Sequence, residues 1–241
     1  MHNRKILIIG EVYVDQHLDI IENGYSTSRL GGIFHAARSC DALNIEYALA
    51  YYAPDYLVKD VEKFGIDVLR ASSIFRLGKV DKAPNVMLIG QSDESGNQLY
   101  ENILGRQAEY VSMLPFMQVL DDFDPTDIII FPGRYGNAGI LSNLSNYEGK
   151  IHIDMNYDCD DILDLDTIKI QTVFLSTSST SFEEFFKEIS YDNLIKYFDK
   201  KKYDVRVVLP KYSCMNQKWK DQLEYMDHFY MNLAGEDRYV G

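Results

Sequence analysis

Short runs of apolar residues recur along the chain, and polar residues or glycines end them. Runs without alternation are typical of strands that are buried on both faces of a parallel sheet. Apolar residues recur at helical spacing over residues 30–43 and again over 55–64, where Gly65 is predicted to end the helix. This order predicts an α/β domain with right-handed crossovers. The predicted buried strands are 5–10, 47–52, 127–133, 150–156, 172–176 and 206–209.

A second pattern predicts a smaller sheet. Residues 16–20 alternate between polar and apolar, which is typical of a strand with one exposed face. Residues 85–90 and 98–104 flank a turn-rich stretch that contains Gly96, and this arrangement predicts a hairpin. We therefore expect a small β lid within a single domain of 241 residues. Its strands are expected near 12–28 and 84–104.

The second half of the chain has weaker patterns. A short helix is predicted over residues 140–147, and two more are predicted to begin at Ser181 and Asn193. Residues 214–232 are predicted to form exposed strands or irregular structure. The aspartates of residues 154–166 are spaced as in a calcium loop, but the glycine and glutamate that such a loop requires are missing. No metal site is therefore predicted there.

The first candidate site is the Gly31-Gly32 pair, which stands directly before a helical pattern. Two glycines let the backbone approach a ligand closely, although an ordinary turn before a buried helix has the same sequence. Asp15 lies just past the carboxyl end of the first strand, where ligands bind in open α/β sheets. Asp15 can also be a solvated turn residue, and His35 can be an ordinary helix histidine.

Composition narrows the range of partners. The net charge is −13 and the pI is near 4.8, which argues against a nucleic-acid duplex or an anionic membrane as the main partner. Three widely spaced cysteines without a C-x-x-C pair indicate a reduced, cytoplasmic setting. We expect neither a signal peptide nor a membrane span, because no apolar run is long enough.

Several segments, in order along the chain, resemble motifs of the PfkB/ribokinase-like carbohydrate kinases. Residues 6–15 are similar to the opening strand and its aspartate, and residues 29–38 are similar to the Gly-Gly substrate motif. Residues 29–38 most resemble the form of this motif in the heptose-phosphate kinase branch. Residues 95–97 are similar to the lid hairpin, and residues 105–108 to the segment that follows it. Residues 151–156 are similar to the Asp-Pro-Asn strand end, and residues 179–184 to the Asn-x-x-Glu motif.

The resemblance implies a three-layer α/β/α ribokinase-like domain with a small β lid. It implies transfer of a phosphoryl group from ATP, with Mg²⁺, to a hydroxyl of a sugar or sugar phosphate. Asp15, Gly31, Gly32 and His35 would bind the sugar, and Arg106 would bind a sugar phosphate or acid group. Asn156 and Glu184 would organise the nucleotide and Mg²⁺. Lid strands exposed in this way also imply a homodimer that pairs through the lid.

The sequence also departs from the family pattern. His35 stands where the family usually has asparagine, Thr180 or Ser181 begins the Asn-x-x-Glu segment, and residues 209–214 lack the expected glycines. The Gly-Ala-Gly-Asp motif, which supplies the anion hole and the catalytic base, is absent from the sequence. We therefore expect a C-terminally shortened domain, and no catalytic residue is predicted. The alternative function is an inactive kinase-fold protein that binds a sugar or nucleotide, or that acts through a protein partner.

Overall fold

The computed structural model describes residues 4–18, 27–92, 98–131, 133, 135, 140, 142–155, 170–176, 204–209 and 229–233. The strands are β1 (Lys5–Glu11), β2 (Val14–His17), β3 (Thr27–Leu30), β4 (Glu46–Ala53), β5 (Ser73–Asp81), β6 (Val86–Ser92), β7 (Gln98–Asn102), β8 (Glu109–Ser112), β9 (Asp127–Ile130), β10 (Lys150–Met155), β11 (Ile170–Ser176), β12 (Asp204–Leu209) and β13 (Phe229–Leu233). The helices are α1 (Phe34–Ala42), α2 (Val58–Lys63) and α3 (Phe116–Phe123).

The larger sheet has the strand order β13-β12-β11-β10-β9-β1-β4-β5-β8 among the described strands. Its neighbours run parallel, except that β8 is antiparallel to β5. Strand β1 lies between β4 and β9, and its apolar residues are buried on both faces, as the continuous run predicted. The carboxyl ends of β1, β9 and β10 therefore meet at one edge of the sheet.

Two apolar clusters lie on the two faces of this sheet. Leu7 and Ile9 pack in the cluster that includes α3, whereas Ile6 and Ile8 pack in the cluster that includes α1 and α2. Successive side chains of a strand point to opposite faces, so β1 contributes to both cores. The described part of the molecule therefore has three layers, with the sheet between helices.

The smaller sheet has the order β3-β2-β6-β7. The predicted hairpin is present as β6 and β7, which are antiparallel. Strand β2 pairs with β3 in antiparallel fashion and with β6 in parallel fashion. Because β2 begins three residues after β1 ends, the short segment between them joins the two sheets. This segment sets the position of the candidate site.

Several predictions of local structure were wrong. Gly65 does not end the second helix: a 3₁₀ turn at Asp55–Leu57 leads into α2, and a π-helical turn continues to Val68. The physical reason is packing, since a Cβ on Gly65 would lie 2.5 Å from Ile74 Cδ1 on β5. In the described part of the short helix predicted over 140–147, Ile140 is helical and Ser142–Leu144 form a 3₁₀ turn.

Three elements were not predicted, and a fourth begins in a stretch for which exposed strands or irregular structure were predicted. Strand β5 carries Arg76 and Lys79 between its apolar residues, so its sequence does not show the apolar pattern typical of a strand. Strand β8 is a short edge strand with a mostly exposed surface. Helix α3 buries Phe116, Val119 and Phe123, a helical spacing that is visible in the sequence. Strand β13 pairs in parallel with β12, inside a stretch predicted to be exposed or irregular.

Candidate functional site

Asp15 lies on β2 and is only 4% exposed, although its side chain is ionisable. The antiparallel register of β2 and β3 places Arg29 directly opposite, with 3.7 Å between Arg29 Nε and Asp15 Oδ2. His35 Nε2 lies 2.9 Å from the same oxygen, at hydrogen-bond distance. The side chain of His35 is 49% exposed and that of Arg29 is 34% exposed, so this buried carboxylate lies next to solvent.

The Gly31-Gly32 turn lies directly against this carboxylate. A Cβ added to Gly31 would lie 2.1 Å from Asp15 Oδ1, so only glycine leaves room for the carboxylate. Gly32 has a φ of +61°, and a Cβ there would lie 2.1 Å from the carbonyl oxygen of Glu11. Glycine is thus required at the two positions for different reasons: Gly31 leaves room for the Asp15 carboxylate, and Gly32 allows the backbone conformation of the turn.

Helix α1 begins after this turn and supplies two basic residues. Phe34, Ala37 and Cys40 face the core, which leaves His35 and Arg38, three residues apart, on the other side. Arg38 Nη2 donates to the carbonyl oxygen of Leu30, at 2.7 Å, at the end of β3. Burial and then the positive charge of Arg29 lower the pKa of the Arg38 guanidinium, while the charge of Asp15 acts against this shift. Asp15, Arg29, His35 and Arg38 together are called the Asp15 cluster below.

A second buried carboxylate, Glu11, was not predicted as a site residue. It ends β1 and is 5% exposed. The Tyr13 hydroxyl donates to its Oε2 at 2.7 Å and the Tyr110 hydroxyl to its Oε1 at 2.9 Å. The Asn85 amide donates to Oε2 at 3.4 Å and to the carbonyl oxygen of Val12 at 3.0 Å. Glu11, Tyr13, Asn85 and Tyr110 form the Glu11 cluster, which links the two sheets. Its sequence signal is an acidic residue directly after a fully buried run.

Aromatic rings enclose the Glu11 cluster on the side of the larger sheet. The ring of Tyr52 stacks on that of Tyr135, with 4.6 Å between their centroids, and meets Tyr110 edge to face at 6.1 Å. Burial, and after it the charge of Glu11, raises the pKa of the Tyr13 hydroxyl far above its ordinary value. Tyr13 therefore keeps its proton and donates a hydrogen bond to Glu11 at any physiological pH.

The structure brings together some of the predicted site residues. Asp15 and His35 belong to the Asp15 cluster, and Gly31 and Gly32 form the turn beside it. Arg106 lies exposed in a 3₁₀ turn at Gly105–Gln107, between β7 and β8, and no described contact joins it to Asp15. Asn156 and Glu184 lie outside the described residues.

The carboxyl end of β10 carries another acid, Asp154, which is half-buried. Burial raises the pKa of its carboxyl group to about 6. Within the described part of the chain, no group of three histidine, cysteine or acidic side chains is arranged to hold a metal ion. Asp154 lies at the edge of the larger sheet where the carboxyl ends of β1 and β9 also lie.

No family model matches this sequence. Solved structures with a similar fold include adenosine kinase from Sinorhizobium meliloti (15% identity, TM-score 0.61, covering 87% of this chain and 75% of the other). They also include fructokinase with bound ATP from Xylella fastidiosa (10%, 0.56, 86% and 72%). A PfkB family carbohydrate kinase from Listeria grayi is similar as well (13%, 0.53, 83% and 69%). The expected ribokinase-like α/β fold is thereby confirmed, and it is the fold of PfkB-family carbohydrate kinases.

Two curated proteins share a short segment with this chain. The glycogen synthase of Lachnospira eligens is 49% identical over 49 residues, and that of Lachnoclostridium phytofermentans is 45% identical over 49 residues. The match covers 20% of this chain and spans only 10% of either synthase. Separately, no helix in the described ranges is long and apolar enough to cross a membrane.

Proposed function

We propose that this protein binds a sugar at Asp15. The observation that carries the proposal is a buried carboxylate that lies against the Gly31-Gly32 turn, where the two sheets join. A carboxylate accepts hydrogen bonds from sugar hydroxyls, and a buried one discriminates strongly, because a wrong ligand leaves its oxygens unpaired. His35 holds one oxygen of Asp15 from the half-exposed side of the cluster. The sugar-kinase fold supports the same function.

The reaction that this fold class implies is phosphoryl transfer from ATP to a hydroxyl of the bound sugar. In such a reaction Asp15 and the glycine turn hold the sugar, and Mg²⁺ supplies charge stabilisation on the phosphates. Asn156 and Glu184 are the residues predicted to hold the nucleotide and Mg²⁺. Asp154 lies at the carboxyl end of β10, and a carboxylate there suits a hard cation. A cytoplasmic location belongs to the same proposal, because ATP is available there.

Calorimetric titration tests the binding step. The wild-type chain is titrated with D-fructose, D-ribose, adenosine and their phosphate esters, and the same is done with Asp15→Asn. Loss of the anionic acceptor is expected to lower the affinity at least about tenfold. Asp41→Asn is the matched control, because Asp41 also pairs with an arginine, Arg70, but lies outside the cluster. Equal binding by Asp15→Asn and wild type would contradict the proposal.

Measurement of ADP release separates kinase activity from binding alone. With ATP-Mg²⁺ and the sugar that binds best, a kinase releases ADP at a rate that depends on the sugar. Binding of the sugar without any such release would support the alternative, an inactive kinase-fold protein. The short segment shared with glycogen synthases suggests no further activity, since it spans a tenth of those enzymes.

A homodimer through the four-stranded sheet is part of the proposal. Strands β3 and β7 are the edges of this sheet among the described strands. Edge strands present unpaired backbone groups that can pair with a second chain. Sedimentation at equilibrium is expected to give twice the mass of 27.8 kDa. A single species of monomer mass at micromolar concentration would contradict this arrangement.

A further inference from the structure

The Asp15 cluster has more positive than negative charge. Within the described residues, the guanidinium groups of Arg29 and Arg38 are accompanied by the single carboxylate of Asp15, in a chain whose net charge is −13. Arg38 and Arg29 are close enough for the positive charge of one to lower the pKa of the other. A concentration of positive charge in a strongly acidic chain costs stability unless an anion accompanies it.

The hydrogen bonds of the two arginines are also incomplete. Arg29 Nε and Arg38 Nη1 are buried, and neither has a hydrogen-bond acceptor among the described residues. Asp15 Oδ2 lies 3.7 Å from Arg29 Nε, which is an ion-pair distance but too long for a hydrogen bond. Buried donors of this kind are rare in folded proteins and usually indicate a missing partner.

The cluster is nevertheless held in place and open to a ligand. Arg38 is fixed by its bond to Leu30 and by the ring of Phe64, which lies 5.7 Å from the guanidinium carbon. The side chain of Arg29 is 34% exposed, so the cluster opens to solvent at this residue. A guanidinium group binds phosphate and carboxylate oxygens with a fork of parallel hydrogen bonds.

We propose that the sugar bound at Asp15 carries an anionic group, a phosphate or a carboxylate, and that Arg29 and Arg38 bind this group. The inference rests on the proposed function and adds a substrate class to it. Asp15 accepts hydroxyl hydrogens of the sugar, while the arginines neutralise its anion. The two kinds of contact select for a sugar phosphate or a sugar acid against a neutral sugar, because a neutral sugar leaves the arginine donors unpaired.

The test compares sugars that differ only in the anionic group. D-Glucose, D-glucose 6-phosphate and D-glucuronate form one set, and D-fructose with D-fructose 6-phosphate forms another. Isothermal titration of the full chain is expected to show at least one anionic form binding about tenfold or more tightly than its neutral counterpart. The advantage is expected to fall as salt is raised from about 50 to 500 mM, because salt screens exposed charges. The glucose set also shows whether phosphate or carboxylate is preferred.

Variants then assign the effect to the arginines. Arg29→Gln is expected to remove most of the anionic advantage, about tenfold, and Arg29→Lys to restore part of it. Arg38→Gln is expected to act in the same direction, with its melting curve recorded because Arg38 also packs on Phe64. Arg70→Gln is the matched control, since Arg70 pairs with Asp41 away from the cluster. It is expected to leave every affinity unchanged.

The outcomes separate this inference from the proposed function. Neutral and anionic sugars that bind equally well, with dependence on Asp15, would overturn the inference and leave sugar binding intact. Inorganic phosphate that binds through Arg29 with no gain from an attached sugar would overturn the sugar function. Binding of none of these probes would overturn both. A preference for anionic sugars that Arg29→Gln does not reduce would also overturn the inference.

Discussion

Glu11 and Asp15 are both buried acids, four residues apart, but their hydrogen-bond partners and the exposure of those partners differ. Glu11 is held by neutral donors that include two tyrosine hydroxyls and an amide, and aromatic rings enclose it. Asp15 is held by Arg29 and His35, and one flank of its cluster is half exposed. Burial alone therefore does not distinguish a structural carboxylate from a candidate ligand-binding one; its partners and their exposure do.

The difference follows from where each residue lies. Glu11 ends β1, so donors from β8 and from the residue before β6 converge on it. Asp15 lies on β2, where its neighbours are the opposite strand and the first turn of α1. We conclude that the Glu11 cluster holds the two sheets together, whereas we propose that the Asp15 cluster binds a ligand. Each of the following predictions tests one side of this contrast.

The largest effect is expected from Glu11→Ala. The substitution leaves at least three donors without their acceptor in a buried place, and we expect it to lower the free energy of unfolding by about 4 kcal/mol. Urea unfolding followed by circular dichroism measures this loss. Glu109→Ala is the control, because Glu109 is exposed and pairs with Lys82, and it is expected to change stability by less than about 0.5 kcal/mol. If Glu11→Ala is as stable as the control variant, Glu11 has no structural role.

The pH dependence of stability tests Asp154, a half-buried acid whose pKa is raised by burial to about 6. The folded state binds the proton more tightly than the unfolded state, so its contribution to stability is present at low pH and is lost as pH rises through 6. Relative to wild type, Asp154→Asn is expected to gain about 2 kcal/mol between pH 4 and pH 7. Urea unfolding of both proteins across this range measures the difference. A difference that does not change with pH would contradict the burial of this carboxyl group.

The glycine turn is expected to separate stability from binding. Gly32→Ala places a side chain at φ +61° and against the backbone oxygen of Glu11, and we expect a loss of about 2 kcal/mol in stability. Gly31→Ala meets only the side chain of Asp15, which can move. Its stability is therefore expected to fall by less than about 1 kcal/mol, while sugar affinity falls at least about tenfold because Asp15 is displaced. Thermal melting and titration of the two variants check this difference. Equal losses of stability and of sugar affinity in both variants would contradict it.

The smallest effect is expected from His35→Ala. It removes one hydrogen bond to Asp15 from the half-exposed side of the cluster, which corresponds to a loss of sugar affinity of about threefold to tenfold. Ser39→Ala, on the same helix, is the control and is expected to leave the affinity unchanged. Titration with the sugar that binds best measures both. An unchanged affinity in His35→Ala would show that His35 is an ordinary helix residue.

Some parts of the fold were readable in the sequence for a clear physical reason. Strands buried on both faces need continuous apolar runs, and so β1, β4 and β9 were predicted. Strand β5 was missed because Arg76 and Lys79 interrupt its pattern, and they can do so because both pair with Asp55. Gly65 was misread as a helix end, because sequence alone does not show that Ile74 would press on a side chain there.

The candidate site was only half visible in the sequence. Asp15, Gly31, Gly32 and His35 were named because motif order points to them. Glu11, Tyr110 and Asn85 were missed because they are far apart along the chain and because each is unremarkable where it stands. Arg29 and Arg38 were visible as residues of the glycine segment, but no local pattern gives their charges a common partner.

By itself the sequence determined the element types, the strand-helix alternation and the glycine turn, because these depend on local periodicity and on the absence of a Cβ. The tertiary structure decided which donors meet which carboxylate. Strand register puts Arg29 opposite Asp15, and strand order brings Tyr110 to Glu11 across 99 positions of the chain. Contacts between such distant residues depend on how whole elements pack, and no local pattern encodes that packing.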